Sequence, residues 1–207
     1  MNSAYDLICS AVIGGIVLVM LVGFNSTIVE KSGVQTIKLM TQTNLTKGLE
    51  IIEYDFRKMG YRVPSAPDSS IIYGDSSQIK FVGDFQNISR IDTIIYRYDA
   101  STASGMNNQN THPLYRTYIV KGSSSSTTTL NLGFTSFRLR YYMSDVSSHQ
   151  DTLLTSNPIS LPSLVRTIRL AVNVESREPY KETSMPYLKL NPGVYWERTI
   201  RPCNLFR

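Results

Sequence analysis

Only two histidines occur in the 207 residues, His112 and His149, and the two cysteines, Cys9 and Cys203, stand near opposite ends of the chain. The densest group of chemistry-bearing side chains is "SDVSSHQD", Ser144 to Asp151, which gathers Asp145, His149 and Asp151. Oxygen ligands at that density can hold a calcium-like cation. The spacing matches no dedicated cation loop, so the expected reading is a solvated turn, with no metal and no cofactor. No G-x-S-x-G, Walker loop, H-E-x-x-H or Cys–His arrangement occurs. No catalytic residue is assigned, an enzyme is not expected, and nothing offers a nucleotide site. Net charge is +5, but the basic residues are dispersed, and Arg138, Arg140, Arg166, Arg169, Arg198 and Arg201 alternate with apolar neighbours. That pattern is the wet face of strands, and it argues against a nucleic-acid partner.

Seven tyrosines and the one tryptophan stand at strand-like positions from residue 96 onward: Tyr96, Tyr98, Tyr115, Tyr118, Tyr141, Tyr142, Tyr195 and Trp196. Tyrosine packs well on a pleated surface, so the expectation is core or half-buried packing, with a binding surface as the alternative. Trp196 is expected to anchor the last strand.

The remaining charge of interest is Asp6, immediately before "LICSAVIGGIVLVMLVGF", Leu7 to Phe24. Eighteen uncharged residues at a rise of ~1.5 Å span roughly 27 Å, close to the hydrocarbon thickness of a bilayer. The run exceeds the apolar core of a signal peptide, no A-x-A-like site follows, and "MNSAYD" has no basic residue. A retained single-pass anchor is expected, lipid being its first partner. Lys31 and Lys38 behind it give only a thin indication of orientation.

Behind Phe24 the period stays helical. Ile37, Met40, Leu45, Leu49, Ile52, Phe56 and Met59 recur at steps of three to five, and Glu53 stands four before Arg57. Gly60 offers a left-handed cap and Pro64 prevents resumption, so the helix stop is placed there. A helix apolar on every side (1–24) therefore continues into one with a single apolar stripe (25–64), which needs a domain of its own chain to lie on. Gly14, Gly15, Gly23 and Gly33 are expected weak points.

From residue 65 to 207 the period becomes twofold. Strands are expected at 78–82, 92–98, 114–120, 137–143, 165–175 and 194–200. In the longest, Ile168, Leu170, Val172 and Val174 should face the core and Thr167, Arg169, Asn173 and Glu175 the solvent. "GSSSSTTT" (Gly122–Thr129) reads as a flexible loop or hairpin tip, "TASGMNNQNTH" (Thr102–His112) as a longer polar loop, and "SNPISLP" (Ser156–Pro162) as irregular. The fold class is α+β: a long N-terminal helix packed on an antiparallel sheet.

This plan resembles the type IV pilin superfamily, most closely its large minor pilins and the minor pseudopilins of type II secretion. The resemblance rests on the helix end, Asp55–Phe56–Arg57–Lys58–Met59–Gly60–Tyr61, and on "LYR" (Leu114–Arg116), "FTSFRLRYYMSD" (Phe134–Asp145) and "LPSLVRTIRLAVNV" (Leu161–Val174) in family order. It implies a filament subunit at the cytoplasmic membrane. The sheet would be periplasmic or extracellular, and other pilin-like subunits would pack through Leu7, Gly14 and Gly15. The family's precursors carry a basic leader ending in Gly and a Glu at mature position five. The sequence shows no such leader; either it has been removed or processing departs from the standard. Loss of Met1 alone would make Asp6 fifth. By that likeness Asp6 would meet a neighbouring subunit's N-terminal amine and set axial register; alternatively Asp6 simply caps the helix. A membrane-anchored β-domain holding a ligand through loops 102–112 and 144–151 is the alternative function.

Overall fold

The apolar run and the amphipathic stretch behind it form one unbroken helix, α1 (Ser3–Arg57), in a computed structural model that describes residues 3–64, 70–101, 108–122, 125–144, 151–176, 180–181, 189–190 and 192–206. At ~1.5 Å per residue α1 is about 80 Å long. It passes through Gly14, Gly15, Gly23 and Gly33 without interruption. Glycine costs each of those turns roughly 1 kcal/mol in propensity, which long apolar flanks of good helix formers offset.

The strands are β1 (Ile71–Gly74), β2 (Gln78–Gly83), β3 (Asp92–Tyr98), β4 (His112–Ile119), β5 (Ser125–Ser144), β6 (Asp151–Leu153), β7 (Thr167–Glu175), β8 (Tyr180–Lys181), β9 (Lys189–Leu190) and β10 (Gly193–Ile200). One antiparallel sheet runs in the order β1-β2-β3-β4-β5-β7-β10, with β6 paired to the end of β5; β8 and β9 pair separately. The inner sheet face and one side of α1 make the core. Ile79, Phe81, Ile94, Tyr96, Leu114, Phe137, Leu139, Ile168, Leu170, Val172 and Val174 are buried at twofold spacing. Against them α1 places Leu45, Leu49, Ile52 and Phe56. Phe56 meets Phe81 and Tyr96 edge-on, with centroids 5.4 and 5.7 Å apart, the arrangement ring quadrupoles favour. Trp196 packs against the core from β10.

Several expectations change. The fully buried stripe of α1 begins at Thr41; Ile37 is half-buried and Met40 is 62% exposed. A helical period cannot report how far its partner covers it. The Ser/Thr run is strand from Ser125 onward, the return arm of a hairpin rather than a flexible loop: Thr127 and Thr129 pair with Thr117 and Tyr115 of β4, and the Thr117 and Thr127 hydroxyls lie 3.0 Å apart. β-Branched threonine suits a pleated surface once a neighbouring strand supplies hydrogen bonds. Thr167 is buried rather than solvated, and its hydroxyl has no hydrogen-bond partner among the described residues. β1 and β6 are additional strands, each too short for periodicity to reveal. The 156–162 segment is largely irregular, with a cis Asn157–Pro158 bond and a short 3₁₀ turn opening at Pro162 (Pro162–Leu164). A second 3₁₀ turn, Cys203–Phe206, closes the described chain.

Candidate functional site

The first feature with functional content is a surface. From Leu7 to Phe24 every residue of α1 is exposed, and none belongs to the core of the described residues. Its best 18-residue window has a mean hydropathy of 2.7, and α1 is long and apolar enough to cross a membrane. Water around so much uncovered leucine, isoleucine and valine is unfavourable by about 25 cal/mol per Å² of apolar area. Exposed apolar surface on this scale marks a membrane or protein interaction site. Leu7 is part of this surface, and Gly14 and Gly15 have open space where a side chain would stand. Asp6 is exposed in the first helical turn, three residues inside Ser3, rather than at the cap itself. There its charge still complements the helix's positive end.

The second feature is the buried ionic joint that links helix to sheet. Asp55 lies on the buried side of α1, 1% exposed. Its carboxylate accepts a bidentate pair from Arg116 of β4, Nε to Oδ2 at 2.7 Å and Nη2 to Oδ1 at 3.1 Å. The Tyr96 hydroxyl of β3 donates to the same Oδ2 at 2.6 Å, and Arg116 Nε also reaches that hydroxyl at 3.2 Å. Burial drives the Tyr96 pKa far above the ordinary phenol range, and the Asp55 charge and hydrogen bond add to it. Burial opposes the Arg116 charge, but the hydrogen bonds and charge of Asp55 outweigh it and hold the guanidinium pKa above its usual value. A bidentate pair with a third donor satisfies the buried carboxylate and fixes helix rotation against two strands.

A collar surrounds the helix end. α1 stops at Arg57; Gly60 takes φ +73° and its N–H donates to the Val82 carbonyl at 2.8 Å. Gly83 must lack a side chain, because a Cβ there would stand 2.5 Å from the Lys58 carbonyl oxygen. Pro64 lies seven residues beyond the last helical residue. Lys58 Nζ donates to the Phe85 carbonyl at 2.9 Å and to Asn87 Oδ1 at 3.0 Å. Buried Asp84 accepts from the backbone of Ser89 and Ile88 and from Arg62. Burial disfavours its charge, yet those three donors hold its pKa below the ordinary carboxylate value. Asp92 is held low in the same way by Arg90, Tyr118 and the Lys121 N–H, against the cost of burial. On the other flank Glu53 pairs with Arg57 at 3.6 Å and with Arg198 of β10.

Sequence reasoning missed the Asp55–Arg116–Tyr96 joint as such, although Asp55 and Arg116 both stood inside quoted motifs. Asp145 and His149 lie outside the described residues, as does 102–107. Asp151 opens β6 and pairs with Arg201 at 2.9 Å. His112 Nδ1 stands 3.0 Å from the Ser101 carbonyl. Among the described residues no group of three or more His, Cys, Asp or Glu is placed to hold a metal.

The architecture is the α+β arrangement expected above: a single long N-terminal apolar helix packed through its C-terminal part on one antiparallel sheet. No family model and no curated protein matches the chain. Among solved structures it is similar to a type IV-like pilin from Thermus thermophilus, at 12% identity and a TM-score of 0.47, over 79% of this chain and 97% of that one.

Proposed function

We propose that this chain is a structural subunit, of the minor pilin or pseudopilin kind, of a pilin-like filament. The observation that carries the reading is the uncovered apolar segment of α1, held on a rigid rod by a buried ionic joint. In the membrane lipid would cover Leu7–Phe24. In a filament the same segments of neighbouring subunits would cover it, so the apolar area stays out of water in both states. Leu7, Gly14 and Gly15 would lie at helix–helix contacts, where glycine permits close approach. Asp6 would take a neighbour's N-terminal amine, since a carboxylate among apolar helices is costly unless paired. The sheet domain would stand on the periplasmic or outer side.

The test is incorporation in the native host, with shed or sheared filaments assayed for the full-length chain. Val17→Arg places a charge in mid-segment, at about 2.5–3.5 kcal/mol, and should abolish incorporation. Asp6→Ala should reduce incorporation while leaving membrane insertion intact, and Asp6→Glu should restore it. Filaments unaffected by Val17→Arg would remove the assembly role; normal incorporation of Asp6→Ala would remove the register role alone.

A further inference from the structure

The sheet face turned away from α1 carries a second feature that the filament reading does not use. Arg140 of β5 stands directly opposite Arg169 of β7 in the antiparallel register, and Arg138 is two residues along the same face. Like charges in directly opposed positions are destabilising, and two arginines there need a compensating anion. Glu197 of β10 supplies part of it: its Oε1 lies 3.5 Å from Arg169 Nε, and it also accepts from the Tyr195 hydroxyl. Arg169 is further held over the Tyr142 ring at 5.2 Å. Arg138 and Arg140 are exposed and have no hydrogen-bond or ion-pair partner among the described residues. With Ser136, Ala171 and Tyr195 these groups line a depression of about 140 Å³.

The geometry points to an oxyanion-binding site of the phosphate-monoester class on this face. Three guanidinium groups against one carboxylate leave two uncompensated charges. A phosphoryl group, which carries close to two negative charges at neutral pH, matches that surplus; a carboxylate or a phosphodiester matches half of it. The forked donors of Arg138 and Arg140 suit its oxygens, and the ordered Arg169 supplies a fixed wall. The Ser136 hydroxyl lines the same depression and offers a further donor.

The experiment is titration of inorganic phosphate at pH 8 into the full-length chain in non-ionic detergent, at constant ionic strength, followed by calorimetry and by thermal unfolding. Dimethyl phosphate is the singly charged diester arm. Saturable phosphate binding is expected, weakened at least tenfold by Arg140→Gln and by Arg138→Gln. Arg97→Gln, on the same sheet face but paired with Asp99 at 4.0 Å, should stay within twofold of the parent. Without phosphate at low salt Arg140→Gln should melt higher than the parent, and phosphate should reverse that order. Three results would overturn the assignment: no saturable binding, equal losses in all three variants, or dimethyl phosphate binding as tightly as phosphate.

Discussion

Asp55 concentrates the stability of the joint in one carboxylate. Replacing it with Ala leaves Arg116 facing a cavity without its counter-charge and costs about 3 kcal/mol, the low end for a broken buried pair because Arg116 keeps partial access to water. Urea unfolding of Asp55→Ala should show that loss. Glu53→Ala, which removes pairs with the solvent-facing Arg57 and Arg198, should lose less, about 1 kcal/mol. Asp84 and Asp92 act through pH. Their native pKa values are depressed, so their contribution is complete above the ordinary carboxylate pKa of ~3.9 and drains away as pH falls through the lower native values. Asp84→Asn and Asp92→Asn should therefore be less stable at pH 7 and show a shallower loss of melting temperature between about pH 4 and pH 2. Each of these residues was visible singly in the sequence. Their association was not: Asp55 lies 41 positions from Tyr96 and 61 from Arg116, and only strand register brings them together.

Among the elements, the ones with strong internal period were legible, and the ones defined by a partner were not. β3 coincides with the expected 92–98, and β10 differs from its expectation by a single residue, because their own alternation places an apolar face against the core. The opening residues of β5, Ser125–Thr129, have no apolar alternation; they are strand because β4 lies beside them. The same limit applies to α1, whose stripe was read from Ile37: Ile37 is half-buried, Met40 exposed, and full burial starts at Thr41. The helix stop is an element-scale device as well, and it depends on backbone geometry. Gly60→Ala forces a side chain into the left-handed region within 2.7 Å of the Ser70 hydroxyl, and should cost roughly 1–2 kcal/mol. Gly83→Ala, opposed by a carbonyl that cannot rotate away, should cost at least as much. Thermal melts of both beside Gly122→Ala, whose site is open space at φ +78°, separate strain from crowding.

For the molecule as a whole, the apolar core and the apolar anchor are independent. The described core begins at Leu45, and no side chain from Ser3 to Met40 belongs to it. A chain shortened to start at Ser32 should remain folded, stay monomeric without detergent, and melt within a few degrees of the full chain; loss of cooperative unfolding would show that the rod's first half stabilises the sheet. Between the apolar run and the fully buried stripe lie residues 25–40, helical and mostly exposed, with Glu30, Gly33, Val34 and Ile37 half-buried along one side. Sixteen residues make a spacer of about 24 Å, and because it is helical it carries phase as well as length. Adding one alanine after Gly33 would lift the sheet by only ~1.5 Å but swing it by about 100° around the rod's axis, whereas adding four would return it to within about 40° of the original azimuth. The separation of the sheet from the apolar run and the compass bearing of the arginine-bearing face are thus set by how many residues this spacer contains, and a filament subunit of the proposed kind, whose neighbours would dictate that bearing, should tolerate four extra residues far better than two.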